Sequence, residues 1–182
     1  MLGRRGAMVV DADEVARDVT APGTPGHDAV LEAFGDDVRR PDGTLDRAAL
    51  ARLVFSDPPA LRRLESIVHP LVRPAIRERL DRAVDAAAPV VVIEAIKLVE
   101  GGLAELCDEV WLVDCRPQDQ RSRLAARGMA ATEADRRIST QGDIRSRIGG
   151  RADRTIGTSR PLEDIDALVD ELWVDLTRAG PV

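Results

Sequence analysis

Residues 6–13 read GAMVVDAD, a short apolar run that ends in two carboxylates. Brief, nearly continuous apolar runs of this kind match strands buried on both faces, as in a parallel sheet. Runs at residues 7–10, 90–93 and 110–113 fit the pattern, and a weaker one surrounds Ile156. Helical periodicity fills the intervals. Leu71, Val72, Ala75, Ile76, Leu80, Ala83 and Val84 recur at spacings of three and four, as do Leu162, Ile165, Leu168, Val169, Leu172 and Leu176. Shorter helices are predicted over residues 25–34, 46–55, 58–68 and 117–127, several with proline in the first turn. Thr132 and Asp135 fit a T-x-x-D cap that opens another helix. Strands alternating with helices predict an α/β domain with helices on both sheet faces. Residues 25–87 break the rhythm with several helices and no strand, and read as a helical insertion forming a substrate wall.

Composition bounds the chain further. At 182 residues it is the size of one domain, and the expectation is a single domain over 1–182. No apolar run reaches the roughly 18 to 20 residues a membrane span needs. The amino terminus is too short in apolar residues for a signal peptide, so a cytoplasmic protein without a membrane partner is expected. Cys107 and Cys115 show no metal or disulfide spacing and are expected to be buried thiols. A net charge of −6 argues against a nucleic-acid partner, because phosphate affinity needs a basic surface. Between Arg116 and Arg160, however, eleven arginines stand against five acids. That segment suits an anionic ligand, or a solvated helix face in a chain whose one lysine is Lys97.

The chemistry begins at Asp11 and Asp13. In a parallel α/β sheet, ligands gather at the carboxyl ends of the strands. Asp13 there could orient or deprotonate a hydroxyl nucleophile, or hold magnesium through water. One of the two aspartates could instead cap the following helix.

The wider setting carries a family resemblance. GAMVVDADEVAR, PGTPGHDAVLEAFG, DGTLDRAALARLVF, LESIVHPLV, VVVIEAIKLVE, CDEVWLVDCRPQDQRSRLAARG, a helix ending in STQ, and RADRTIGTSRPLED follow one another along the chain. In that order they resemble the dephospho-coenzyme A kinases. The resemblance implies a P-loop-kinase-like parallel sheet with flanking helices and a helical substrate-binding insertion. It also implies phosphorylation of the ribose 3'-hydroxyl of dephospho-coenzyme A by ATP with Mg2+, the last step of coenzyme A synthesis. Asp13 then stands at the catalytic aspartate, with Asp11 beside it. Arg47 of DGTLDR and His69 of the His-Pro pair fall in the region used against substrate; outside the resemblance, a histidine before proline reads as structural. Gln120, Arg123 and Arg127 match a Q-x-x-R-x-x-x-R helix leading into a lid at about 127–151, with Arg145 and Arg147 as lid partners over the ATP phosphates. Guanidinium groups suit that task because they are planar and permanently charged.

Departures from the family pattern modify these expectations. No G-x-x-x-x-G-K-S/T phosphate loop occurs in the 182 residues. Aligned on DAD, the chain starts roughly twenty residues late, inside the family's first helix, and a central strand is expected to be missing between the strands near 90–93 and 110–113. A mis-started or poorly folding chain is one reading of this, and a non-catalytic dephospho-coenzyme A-binding remnant is another. Lys97 is read as a loop residue or a replacement phosphate contact. Thr158-Ser159-Arg160 replaces the family's Asn-x-Gly and is expected to alter adenine recognition.

Overall fold

The computed structural model describes residues 1–142 and 144–178. The chain divides into two compact units, one of residues 2–96 and the other of Met1 with the residues from 97 onward.

In the first unit, β1 (Met8–Asp11) leads directly into α1 (Ala12–Asp18), followed by α2 (Pro25–Phe34), α3 (Arg47–Ser56), α4 (Pro58–Asp85) and β2 (Val91–Glu94). Strands β1 and β2 pair in parallel, from Met8 opposite Val91 to Asp11 opposite Glu94. The apolar positions of α2, α3 and the first half of α4 close one core. Val30, Leu31, Val38, Leu45, Leu50, Val54 and Ala60 are buried there, with Phe34, Leu64 and Ile67 packed on them. Helices α1, α2 and α3 all pack against α4, whose Ile76 is fully buried. At Gly26 the start of α2 comes so close to the end of α1 that a Cβ would lie 2.2 Å from the carbonyl oxygen of Val19. Only glycine permits that approach.

Helix α4 differs from the sequence expectation, which ended one helix near residue 68 and began another after His69. Pro70 and Pro74 lie inside one continuous helix of 28 residues. Proline removes one intrahelical hydrogen bond and crowds the preceding turn. These two are four residues apart and both exposed, so they share one solvent-facing stripe where water satisfies the released carbonyls.

The second unit contains β3 (Trp111–Asp114), α5 (Pro117–Ala126), α6 (Ala131–Gln141), α7 (Ile144–Ile148), β4 (Arg154–Gly157) and α8 (Leu162–Arg178). Strands β3 and β4 are parallel, with Leu112 opposite Thr155 and Asp114 opposite Gly157. Ile165, Val169 and Leu172 form the buried stripe of α8, at the spacing expected of an amphipathic helix. The predicted T-x-x-D cap is not used. Helix α6 starts after Ala130, and Asp135 instead accepts a hydrogen bond from Nε of Arg121 on α5 at 2.6 Å.

The strands form two separate two-stranded parallel sheets, and among the described residues β2 pairs with β1 alone and β3 with β4 alone, in keeping with the expectation that no strand joins those near 90–93 and 110–113. Two further expectations are corrected. The strands are not buried on both faces. Val10 and Leu112 are buried while Val9 is 47% and Val113 65% exposed, because side chains alternate across a strand and packed elements cover one face. Cys107 and Cys115 are free and half-buried rather than buried. Partial burial, with Asp108 nearby, pushes the pKa of the Cys107 thiol up and keeps it neutral.

The role of α4 as the common support gives a direct test. Replacing the fully buried Ile76 with alanine is expected to cost about 2–5 kcal/mol in urea unfolding. Val84→Ala, on the same helix but 75% exposed, is expected to stay within about 0.5 kcal/mol.

Candidate functional site

The carboxyl end of β1 holds the two aspartates singled out in the sequence. At the end of β1, one oxygen of Asp11 accepts the backbone N–H groups of Asp13 at 2.8 Å and Glu14 at 3.2 Å. Asp11 is thus the N-cap of α1, satisfying two of the donors a helix start leaves unpaired. Asp13 sits in the first turn of α1 with its side chain exposed. Of the two alternatives left open for the pair, capping falls to Asp11.

The far end of α1 is held by arginines from two other helices. Nη2 of Arg47, at the start of α3, donates to the carbonyl oxygens of Arg17 at 2.9 Å and Thr20 at 3.1 Å, and to the Thr20 hydroxyl at 3.1 Å. Arg79 of α4 forms an ion pair with Asp18. Partial burial and the positive charge of Arg17 lower the ionisation of Arg47 below the usual arginine value, though a guanidinium remains charged.

The rest of the DGTLDR stretch, Asp42 to Asp46, is accounted for by a turn, the core and a helix cap. Asp42 accepts from the backbone and hydroxyl of Thr44 at 2.9 and 2.6 Å, and Gly43 takes a positive φ of 82° in that turn. Leu45 is buried in the core, and Asp46 caps α3 through Ala48 and Ala49. His69 lies exposed in the middle of α4. Sequence reasoning passed over His27, which is buried on α2 with Nδ1 3.1 Å from Asp28 and with no partner at Nε2.

In the second unit, Asp114 ends β3 and forms an ion pair with Arg145 of α7 at 2.7 Å. Arg147 of the same helix pairs with Glu100 in the turn after β2. That bond holds the Glu100 carboxylate below its ordinary range. On α5, Arg123 donates to both the hydroxyl and the carbonyl oxygen of Thr158. Thr158 in turn bridges to the carbonyl of Asp114 through its N–H at 2.7 Å and its hydroxyl at 3.0 Å. The Arg116 N–H donates to the Ser159 hydroxyl at 2.7 Å. Arg116, Asp119, Arg123, Thr158, Ser159 and Arg160 therefore line a cavity of about 360 Å3 beyond the ends of β3 and β4. Its arginines make it a polar, cationic recess. Arg127 is exposed at the end of α5, on which Gln120 also lies, and Lys97 is exposed in the turn after β2. Gly101 N–H reaches the Lys97 carbonyl at 2.7 Å, so the loop reading of that lysine fits its position.

The CoaE dephospho-CoA kinase model matches residues 1–163. The chain belongs to the dephospho-CoA kinase family. Family relatives include the dephospho-CoA kinase of Streptomyces avermitilis, 46% identical over 178 residues that span 97% of this chain and 85% of that protein. The one from Geobacter metallireducens is 38% identical over all of this chain and 90% of its own. Among solved structures, TT1252 from Thermus thermophilus aligns with a TM-score of 0.79 at 31% identity, over 97% of this chain and 88% of that one. The dephospho-CoA kinase from Campylobacter jejuni shares the fold at a TM-score of 0.68 and 18% identity, over 97% and 88% of the two chains.

Asp114, Glu100 and Arg79 escaped the sequence reading. The strand-end rule that drew attention to Asp11 applies equally to Asp114, since both close a parallel strand. Glu100 and Arg79 matter only through partners distant in the chain.

The Arg147–Glu100 pair predicts a pH dependence. Because the folded-state pKa of Glu100 is depressed, its contribution to stability is present above the ordinary value of 4.5 and is lost as pH falls through the lower folded value. Glu100→Gln lacks that component. The stability difference between wild type and Glu100→Gln in urea is therefore expected to be largest near neutrality and to shrink below pH 4.5.

Proposed function

We propose that this chain, in a protein that supplies a phosphate-binding loop, catalyses the last step of coenzyme A synthesis, transfer of the γ-phosphoryl group of ATP to the ribose 3'-hydroxyl of dephospho-coenzyme A. Family membership over residues 1–163 supports the reaction, and one observation supports the acceptor chemistry. With Asp11 engaged as the α1 cap, Asp13 is the exposed carboxylate at the end of a parallel strand. In this reading Asp13 accepts the proton of the 3'-hydroxyl as its oxygen attacks the γ-phosphorus. The bond to the bridging oxygen breaks and ADP leaves with that electron pair. Arg47 and His69 belong to the acceptor side, within the helical segment 25–87.

Arg123, Arg127 and Arg145 belong to the nucleotide side, with residues 127–151 as a lid. Guanidinium groups there stabilise charge on the transferred group and on ADP as it leaves. The recess at Thr158, Ser159 and Arg160 receives the nucleoside end of ATP. Magnesium comes with the ATP phosphates. Among the described residues no group of three or more His, Cys, Asp or Glu could hold a metal, and no step here runs through one. Among the described residues no helix is long and apolar enough to cross a membrane, and we place the reaction in the cytoplasm.

The 182 residues hold no G-x-x-x-x-G-K-S/T and a single lysine. The phosphate cradle is therefore not among them, and the transfer belongs to a chain that supplies one. That same observation favours a second reading, a protein that binds dephospho-coenzyme A without phosphorylating it.

The two readings separate in one set of measurements on the chain as its gene encodes it. The kinase reading expects ATP-dependent 3'-phosphorylation of dephospho-coenzyme A, with Asp13→Asn lowering turnover by about 10²- to 10⁴-fold while ATP binding stays nearly intact. Thermal stabilisation by dephospho-coenzyme A without ATP-dependent product would support the binding protein. Full turnover by Asp13→Asn would remove Asp13 from the mechanism.

A further inference from the structure

Helix α1 carries Asp13 and spans only Ala12–Asp18. Isolated helices shorter than about 12–15 residues are marginal in water, so a helix of this length keeps its place only through what grips it. The grip at its start is the Asp11 cap. At its end the last carbonyls carry the negative pole of the helix dipole, and a cation there is favourable. Arg47 fills that position. A single guanidinium nitrogen reaches the Arg17 carbonyl, the Thr20 carbonyl and the Thr20 hydroxyl. The Thr20 hydroxyl bonds back to the Ala16 carbonyl at 2.7 Å, which ties Arg47 into the final turn of α1. Arg79 reinforces the same end from α4 through Asp18.

We infer that Arg47 is a positioning residue, acting on the reaction through α1 and Asp13 and not by touching the acceptor. This deepens the kinase reading and rests on Asp13 being the acceptor-side base. Two points support it beyond the hydrogen bonds themselves. Arg47 is the first residue of α3, directly after the Asp46 cap, so its backbone is fixed and its side chain bridges α3 to α1. Further, the Arg17 carbonyl it binds belongs to the same seven-residue helix whose first turn holds Asp13, and Thr20, its other acceptor, lies just beyond the end of that helix. A base displaced by about 1 Å costs on the order of 100-fold in rate, so a loosened α1 lowers turnover even when the acceptor still binds.

The test compares Arg47→Ala and Arg47→Lys with wild type, alone and combined with Asp13→Asn, in the chain as its gene encodes it. Arg47→Ala is expected to lower kcat on the order of tenfold or more and to leave KM for dephospho-coenzyme A within about twofold. Arg47→Lys, which keeps a cation but not the fork, is expected to recover part of the loss. In the Asp13→Asn background the Arg47 substitution should add little, because both changes act through one group. Hydrogen exchange at the amides of Ala16–Val19 should accelerate on the order of tenfold or more in Arg47→Ala. If Arg47→Ala does not fold, Arg47→Lys carries the same readouts in weaker form.

A rise in KM at unchanged kcat, with exchange in α1 unaltered, would make Arg47 an acceptor contact and overturn the inference. Unchanged kinetics together with unchanged exchange would overturn it as well. If wild type phosphorylates no dephospho-coenzyme A, the kinase reading fails by itself and hydrogen exchange alone decides whether Arg47 holds α1.

Discussion

A helix of seven residues cannot hold its own shape in water, yet α1 places the carboxylate on which the proposed chemistry turns. Its order comes from outside. Asp11 closes the first turn, Val15 is fully buried, and Arg47 and Arg79 hold the last turn from α3 and α4. Each of those residues sits where it does for its own reasons. Asp11 ends a strand paired to β2, Arg47 follows the Asp46 cap, and Arg79 rides on the long helix that closes the core. The geometry at Asp13 is therefore a property of the whole first unit.

Charge in the second unit is organised by the same means. Arginines of α5 and α7 do not stand in solvent as a uniform basic face. Arg145 is bound to Asp114 and Arg147 to Glu100, while Arg123 holds Thr158. Exposed ion pairs of this kind contribute little to stability. Their value lies in fixing where positive charge is held: at the strand ends, where a parallel α/β arrangement collects its ligands.

Much of this was legible in the sequence, for identifiable reasons. Among the described residues, apolar runs located β1, β2 and β3 to within a residue, and a weaker run around Ile156 marked β4, because a short run has few ways to pair. Helix α2 was placed at its observed limits by Pro25 after Thr24, whose hydroxyl accepts the His27 N–H. The break assigned near His69 did not materialise, because Pro70 and Pro74 lie on a face that needs no neighbour. What the sequence hid were side chains whose meaning depends on a distant partner. Arg47 looked like a ligand contact because a charged residue in a distinctive motif invites that reading. Its partners lie at the end of α1 and just beyond it, and nothing local to DGTLDR reveals them. Glu100 was overlooked for the same reason, whereas Asp114 closes a strand as Asp11 does and lay within reach of the strand-end rule.

The pairing of β1 with β2 also sets an order of events at the ribosome. Met8 cannot find Val91, nor Asp11 find Glu94, until the intervening helices have been made, and α4, on which α1, α2 and α3 rest, is the last of those helices to emerge. The nascent first strand must therefore wait unpaired with part of its apolar surface in water. Closing so long a loop is slow and carries an entropic penalty. Until β2 is made, the first unit cannot close its sheet.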